Sequence, residues 1–341
     1  MTAAPLVGSR TAPSGTQRLL AAVRDDGQPM SLAEHLARFG RLPTNRRGAG
    51  SWLVEEVDQA GLRGRGGAGF PTGRKMRTVA AARRRPVVLV NGSEGEPASQ
   101  KDALLMQQAP HLVLDGVVAA ALAVGATRAY LVVHEGTNLD GHLDRALTER
   151  AGLDERVEIV VAASAGGYVG SEESALVSWV NGAAALPAAT PPRPFERGVD
   201  GRATLVVNVE TVAHIALIAR YGAAWFAEIG EEQEPGTVLL TVSGAAAHPG
   251  VVEAATGTRL AQVLAVAGVD PDRCSAILVG GYFGSWVPID AALRMPVSQA
   301  GAVSVGAGLG AGVVVALDER ACGLAETARV MAFLARSGAG Q

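Results

Sequence analysis

The chain has 341 residues, of which 48% are hydrophobic and 18% charged, and a net charge of −3. That length holds two domains with a sizeable core, and the slightly acidic balance argues against a nucleic-acid binder. Two cysteines, Cys274 and Cys322, imply no disulfide framework, fit a reducing compartment, and are too few for an iron–sulfur cluster, which takes four ligands.

Residues 1–17 are small and polar and read as a loosely held tail without the apolar run of a signal peptide. Short helical patterns follow at 18–24 and 31–39. In the second, Ser31 and Glu34 match a capping box, and Leu32, Leu36 and Phe39 give one apolar face. Residues 46–50 are a polar linker, and 51–60 form a helix that stops at Gly61. Residues 61–75 then read GLRGRGGAGFPTGRK, with six glycines among the first thirteen and Arg63, Arg65, Arg74 and Lys75 between them. Glycine lets a ligand approach the backbone closely, and successive N–H groups with nearby cations make an anion cradle. The spacing Gly64-x-Gly66-x-x-Gly69 matches a dinucleotide fingerprint only weakly, the Walker pattern is absent, and a plain glycine-rich turn is the alternative.

Residues 86–90 (PVVLV) are a buried strand that runs into the polar turn 91–97 (NGSEGEP). Helices at 101–106 and 112–124, a strand at 129–133, a helix at 139–149 and a strand at 157–162 follow. Alternating strands and helices predict a parallel α/β sheet, whose ligands sit beyond the strands' carboxyl ends. A second glycine turn, 166–173 (GGYVGSEE), carries two adjacent carboxylates and leads into a helix at 174–180. The proline-dense 188–194 is a loop, 204–209 a strand and 210–221 a helix. Beyond Gly222, strands at 236–242, 250–254 and 276–279 with a helix at 260–267 fit a small β-grasp unit. Residues 302–317 are apolar but too short and glycine-rich for a membrane span, and 325–336 form a last helix. The protein is expected to be soluble and cytoplasmic.

Three polar loops at strand ends therefore carry the chemistry: 61–75 with cations and N–H groups, 91–102 with Glu94, Glu96 and Asp102, and 166–173 with Glu172 and Glu173. Together they suit a phosphate-bearing cofactor with a polar heterocycle. The six histidines lack ligand spacing, Gly170-Ser171-Glu172 is not a hydrolase elbow, and Lys101-Asp102 reads as a structural ion pair.

The loops resemble those of the FMN-bearing, NADH-oxidising F-type subunit of respiratory complex I and its relatives in NAD-linked hydrogenases and formate dehydrogenases. Residues 61–75 match the most specific motif of that family nearly letter for letter. The stretch 90–102 is similar to N-A-D-E-x-E-P-G-T-x-K-D, 167–176 to G-Y-I-C-G-E-E-T-A-L, 206–211 to V-N-N-V-E-T, and 279–282 to V-G-G-Y. The glycine loop and 91–97 also resemble the C subunit of Rnf-type complexes. The resemblance covers residue 51 onward and implies an α/β fold: a Rossmann-like FMN-binding domain of the complex I F-subunit type at 51–230, then a small β-grasp (SLBB, ubiquitin-like) domain at 235–300. Flanking them would be a tail with short helices at 1–50 and a C-terminal segment at 301–341.

The same resemblance implies an FMN site made by Gly64, Arg65, Gly66, Gly67, Lys75, Asn91, Ser93, Glu94, Tyr168, Ser171, Glu172 and Asn208, with Phe70, Glu96 and Glu173 facing NAD(H) or NADP(H). Departures fall at Ser93, Ser171 and Val207, and at Thr78, Thr190 and Arg193, where the family has nucleotide-clamping aromatics and a lysine. The family continues into a helical [4Fe–4S] domain whose cysteine motif would begin about where this sequence stops. Either the sequence is truncated there, or the cluster belongs to another chain. The implied function is electron transfer from NAD(P)H through FMN to an iron–sulfur or ferredoxin-like partner in a multi-subunit redox complex. The alternatives are an FMN subunit reduced by ferredoxin without nicotinamide, and a non-catalytic assembly subunit.

Overall fold

Four runs rich in valine, leucine and isoleucine associate because each can be buried on both faces, the condition for a parallel sheet. In the computed structural model, which describes residues 10–11, 17–44, 49–153, 156–164, 167–189 and 191–338, they lie in the order Glu158–Ser164, Arg128–His134, Val87–Gly92, Thr204–Asn208, all parallel. The chain moves outward from Val87–Gly92 through two strands and then returns to its other side. The order therefore reverses at Val87–Gly92, and Asn91 pairs in register with Asn208 at the carboxyl ends there. Such a reversal opens a crevice, the usual ligand position in this Rossmann-like architecture.

The helices Pro110–Val124 and Val209–Ala227 pack closely against each other under this sheet. Gly116 marks their closest approach, since a Cβ there would collide with the carbonyl of Val212. The capping box at Ser31 forms as expected, but the residue that its helix Leu32–Phe39 buries is His35, not the expected apolar stripe. His35 Nε2 lies 2.7 Å from Asp115 Oδ2, and Arg150 Nη2 lies 2.6 Å from Asp115 Oδ1. Arg220 completes the knot on Asp115. Burial alone would raise the Asp115 carboxyl, but His35 and the two guanidinium groups hold it well below the usual range.

The second sheet is mixed, in the order Arg10–Thr11, Gly250–Ala255, Thr237–Gly244, Val313–Asp318, Cys274–Val279, Ser285–Pro288. Two readings from sequence change here. Val313–Asp318, expected in a segment beyond the second unit, lies inside this sheet, parallel to Thr237–Gly244 and antiparallel to Cys274–Val279. The unit thus extends past residue 300, because a run buried as far as Leu317 pairs on both edges. Arg10–Thr11, expected in a loose tail, pairs in parallel with Val252–Glu253. Behind it, a 3-10 turn at Leu20–Ala22 replaces the expected helix. The buried Glu253 carboxylate receives the N–H groups of Arg18, Leu19 and Leu20 at 2.9–3.2 Å. No helix among the described residues is long and apolar enough to cross a membrane.

Asp115→Asn leaves two buried guanidinium groups without their counter-charge, and is expected to cost about 3–5 kcal/mol. Urea unfolding checks this; a loss below about 1 kcal/mol would place the knot among weak surface pairs.

Candidate functional site

The glycine loop is closed at its base by paired backbone groups. The Gly64 N–H donates to the Phe70 carbonyl and the Thr72 N–H to the Leu62 carbonyl, both at 2.9 Å. The Arg65 N–H donates to Thr211 Oγ1 at 2.9 Å, which pins the loop to the first turn of Val209–Ala227. Side chains are sterically unwelcome here: Gly67 has φ +117°, and a Cβ on Gly66 would lie 3.3 Å from the Cβ of Asn208. The loop feeds a helix, Thr72–Ala80, whose first residues fall within the stretch 61–75 read from sequence as loop.

Its cations do not gather at a common point. Arg63 donates to the Gly69 carbonyl at 3.3 Å, Arg65 to Glu234 Oε1 at 3.1 Å, and Lys75 to Glu173. Arg74 is exposed. What the loop offers a ligand is mainly its backbone.

In the second loop, Asn91 Nδ2 donates to the Ser171 carbonyl at 2.8 Å, while its Oδ1 accepts the Ser93 N–H at 3.2 Å and the Ser93 hydroxyl at 2.8 Å. Glu94 adopts φ +40° and turns back to cap the helix Lys101–Gln108. It accepts the N–H groups of Asp102 and Ala103 at 3.0 and 2.9 Å, and the Ser99 hydroxyl at 2.6 Å. Burial and the nearby Asp102 carboxylate push its carboxyl up to about 7. Glu96 accepts the Ala98 N–H at 3.3 Å and the Tyr282 N–H, from the second unit, at 2.9 Å.

Lys101 is a second buried cation of the site, beside Arg65. Its ammonium lies 2.9 Å from both Asp102 Oδ1 and Glu210 Oε2, and 3.3 Å from Asn208 Oδ1. Asn208 Nδ2 closes the network on Asp102 Oδ2 at 2.6 Å. Burial would raise the Glu210 carboxyl, but Lys101, followed by His214, brings it down to about 2.

In the third loop, a turn at Gly167–Gly170 places the Tyr168 ring 5.5 Å from that of Phe283. The Ser171 hydroxyl donates to the Tyr168 carbonyl at 2.7 Å. Glu172 caps the helix Glu173–Val180 by accepting the Ser174 and Ala175 N–H groups at 2.8 and 3.2 Å.

The three loops and the second unit enclose a cleft of about 560 Å³, inside the usual range for small-molecule sites. Of the candidate residues, Arg65, Gly66, Gly67, Asn91, Glu94, Glu96, Tyr168, Ser171, Glu172 and Asn208 line it. Gly64, Ser93, Phe70, Lys75 and Glu173 do not: Gly64 closes the base of the loop, Ser93 is buried behind Asn91, Phe70 is 47% exposed, and Lys75 and Glu173 hold each other. Lys101 and Asp102 also line the cleft, as do Gly280, Phe283 and Gly310 of the second unit. The glycine pair in 279–282 and the glycine-rich 302–317 are the sequence signals for that far wall. Of the clamp positions, Thr78 and Arg193 are exposed and Thr190 lies outside the described residues, as does Gly166 of the second glycine turn.

The same stretch of chain that builds this cleft is shared with known proteins. The family model described as the Nuo51 FMN-binding domain matches residues 57–217. The F subunit of NADH-quinone oxidoreductase from Salmonella typhimurium is 32% identical over 342 residues, spanning 93% of this chain and 76% of that protein. Its counterpart from Rickettsia bellii is 32% identical over 306 residues, spanning 85% and 73%. Among solved structures, an NAD+-reducing [NiFe]-hydrogenase in the H2-reduced state superposes with a TM-score of 0.80 at 31% identity. That match covers 98% of this chain and 55% of the hydrogenase chain, so this chain spans about half of it.

Glu94 links the cleft to pH. Its folded pKa, about 7, lies above the ordinary 4.5, so the folded state holds this proton more tightly than the unfolded chain does. Its stabilising contribution is complete below the ordinary value and is lost as pH rises through about 7. Glu94→Gln is expected to flatten the fall in melting temperature between pH 5 and 8; an unchanged slope would assign that titration elsewhere.

Proposed function

We propose that this chain, which belongs to the family of NADH-quinone oxidoreductase F subunits, binds FMN in the cleft and moves electrons from NAD(P)H to an iron–sulfur partner within a multi-subunit redox complex. The observation that carries this reading is the convergence of three loops on one cleft at the point where the parallel sheet reverses, with glycine backbone for one wall. The residues suit the cofactor. Gly66 and Gly67 admit a phosphate against the backbone, and the second and third loops bring amide, hydroxyl and carboxylate groups for a ribityl chain and a ring edge. FMN, when bound, takes a hydride from a nicotinamide and releases its electrons singly.

The residues of this chain then have distinct tasks. Gly64 and Arg65 shape the cradle that Gly66 and Gly67 present, and Lys75 stands at its edge. Asn91, Tyr168, Ser171, Glu172 and Asn208 orient the flavin, and Ser93 holds Asn91 in place from behind. Glu94, titrating near neutrality, is a group beside it that can hold or release a proton. Phe70, Glu96 and Glu173 belong to the approach of the nicotinamide. The free thiols Cys274 and Cys322 support a cytoplasmic location.

A second reading, reduction by ferredoxin or a partner chain without nicotinamide, is favoured by exposed Thr78 and Arg193 where the family has clamping aromatics. One spectrum separates the two. Protein reconstituted with FMN is expected to show flavin bands that bleach anaerobically with NADH or NADPH. Bleaching by reduced ferredoxin alone would select the second reading, and a protein that takes up no FMN would reject both. Gly67→Val, which puts a β-branched side chain at φ +117°, is expected to weaken FMN uptake at least 100-fold with unchanged circular dichroism; stoichiometric flavin in this variant would misplace the cradle.

A further inference from the structure

The Arg65 guanidinium is a buried charge whose polar partners belong to a different part of the molecule from its backbone. Its backbone N–H is fixed to Thr211 beside the cleft, while its side chain reaches Glu234 Oε1 at 3.1 Å and the Pro235 carbonyl at 3.5 Å. Glu234 is buried as well, and its second oxygen accepts the Gln299 N–H at 2.9 Å at the start of the helix Gln299–Ser304. Thr256 donates to the Glu234 carbonyl. One carboxylate therefore ties the middle of the glycine loop to the short hairpin Gly230–Glu231/Glu234–Pro235 and to a helix of the second unit.

We propose that Glu234 is a positioning residue for the flavin cradle: through Arg65 it sets the conformation of residues 64–67, and hence the affinity for FMN, without touching the cofactor. This rests on the reading of the cleft given above. A loop with glycine at 64, 66 and 67 has little conformational preference of its own, so its shape must be imposed from outside. The only side chain between those glycines is Arg65, and a buried guanidinium takes the position that its counter-charge dictates. A site is only as exact as the groups that support its contact residues. Arg65 accordingly acts as an anchor of the loop through its side chain.

The test uses the full chain as wild type, Glu234→Gln and, as control, Glu253→Gln. Glu253 is a buried carboxylate that holds the segment around Leu19 and makes none of these contacts. Two quantities are read: FMN affinity by quenching of flavin fluorescence, and hydrogen exchange of the amides at 62–70 in the flavin-free protein. Glu234→Gln is expected to weaken FMN binding at least tenfold and to accelerate loop exchange at least tenfold. Glu253→Gln is expected to lower the melting temperature while changing neither. If Glu234→Gln keeps FMN affinity and loop exchange within twofold of wild type, the inference is overturned, whatever its melting temperature. If wild type binds no FMN, the exchange rates alone decide whether Glu234 shapes the loop, and the functional reading fails separately. Glu234→Asp, which keeps the charge but shortens the arm, is expected to recover part of the affinity; equal loss in both variants would argue against charge-dependent positioning.

Discussion

A buried ammonium group must have every donor partnered, because neither water nor an apolar wall can compensate it. Lys101 meets that demand by drawing together Asp102 from its own helix, Asn208 from the end of a strand and Glu210 from the first turn of the next helix. Those elements have to meet at one point, and that point borders the cleft. The same Glu210 accepts the Leu239 N–H at 2.9 Å, so the network also fastens the second sheet to the first unit. The carboxyl groups around this cation part ways: Lys101 at 2.9 Å overcomes burial and brings Glu210 down to about 2, whereas burial and the Asp102 carboxylate push Glu94 up to about 7.

Around this knot, charge and backbone divide the work. The acids that look exposed in a one-dimensional reading are mostly spent on the protein itself. Glu94 and Glu172 cap helices, Glu96 holds the Tyr282 N–H, and Glu173 holds Lys75. Each carboxylate thereby stiffens the loop that carries it, and rigid loops are what a cofactor site requires. The glycines do the opposite and keep the surface accessible. Gly66 and Gly67 on one side face Gly280 and Gly310 on the other.

Much of this is legible in the chain because it depends on local signals. Valine-rich runs mark the parallel strands and glycine turns follow them, whereas the strand order, and with it the pairing of Asn91 with Asn208, comes only from the structure. What escapes depends on distant contacts. No local pattern in Ala302–Leu317 distinguishes a strand in the middle of a sheet from an apolar tail, because its two partner strands lie about seventy and about forty residues upstream. The helix Thr72–Ala80 is hidden by a glycine and a proline at its start, which normally signal turns. Lys101 and Asp102 read as an ordinary ion pair, since adjacency in sequence does not reveal that both are buried beside a cleft.

The placement of Arg10–Thr11 and Val313–Asp318 in one sheet bears on how the molecule is made. In chain terms the second unit brackets the first: its edge is synthesised before the parallel sheet, and a central strand long after it. The parallel sheet can be complete while the ribosome is still translating the strand that fills the second sheet. Until then the wall bearing Gly310 is missing, and the half-built crevice stays open to solvent. Contacts of such long range close slowly. A ligand that needs both walls of the cleft therefore meets a complete one only after residues 313–318 have joined the second sheet.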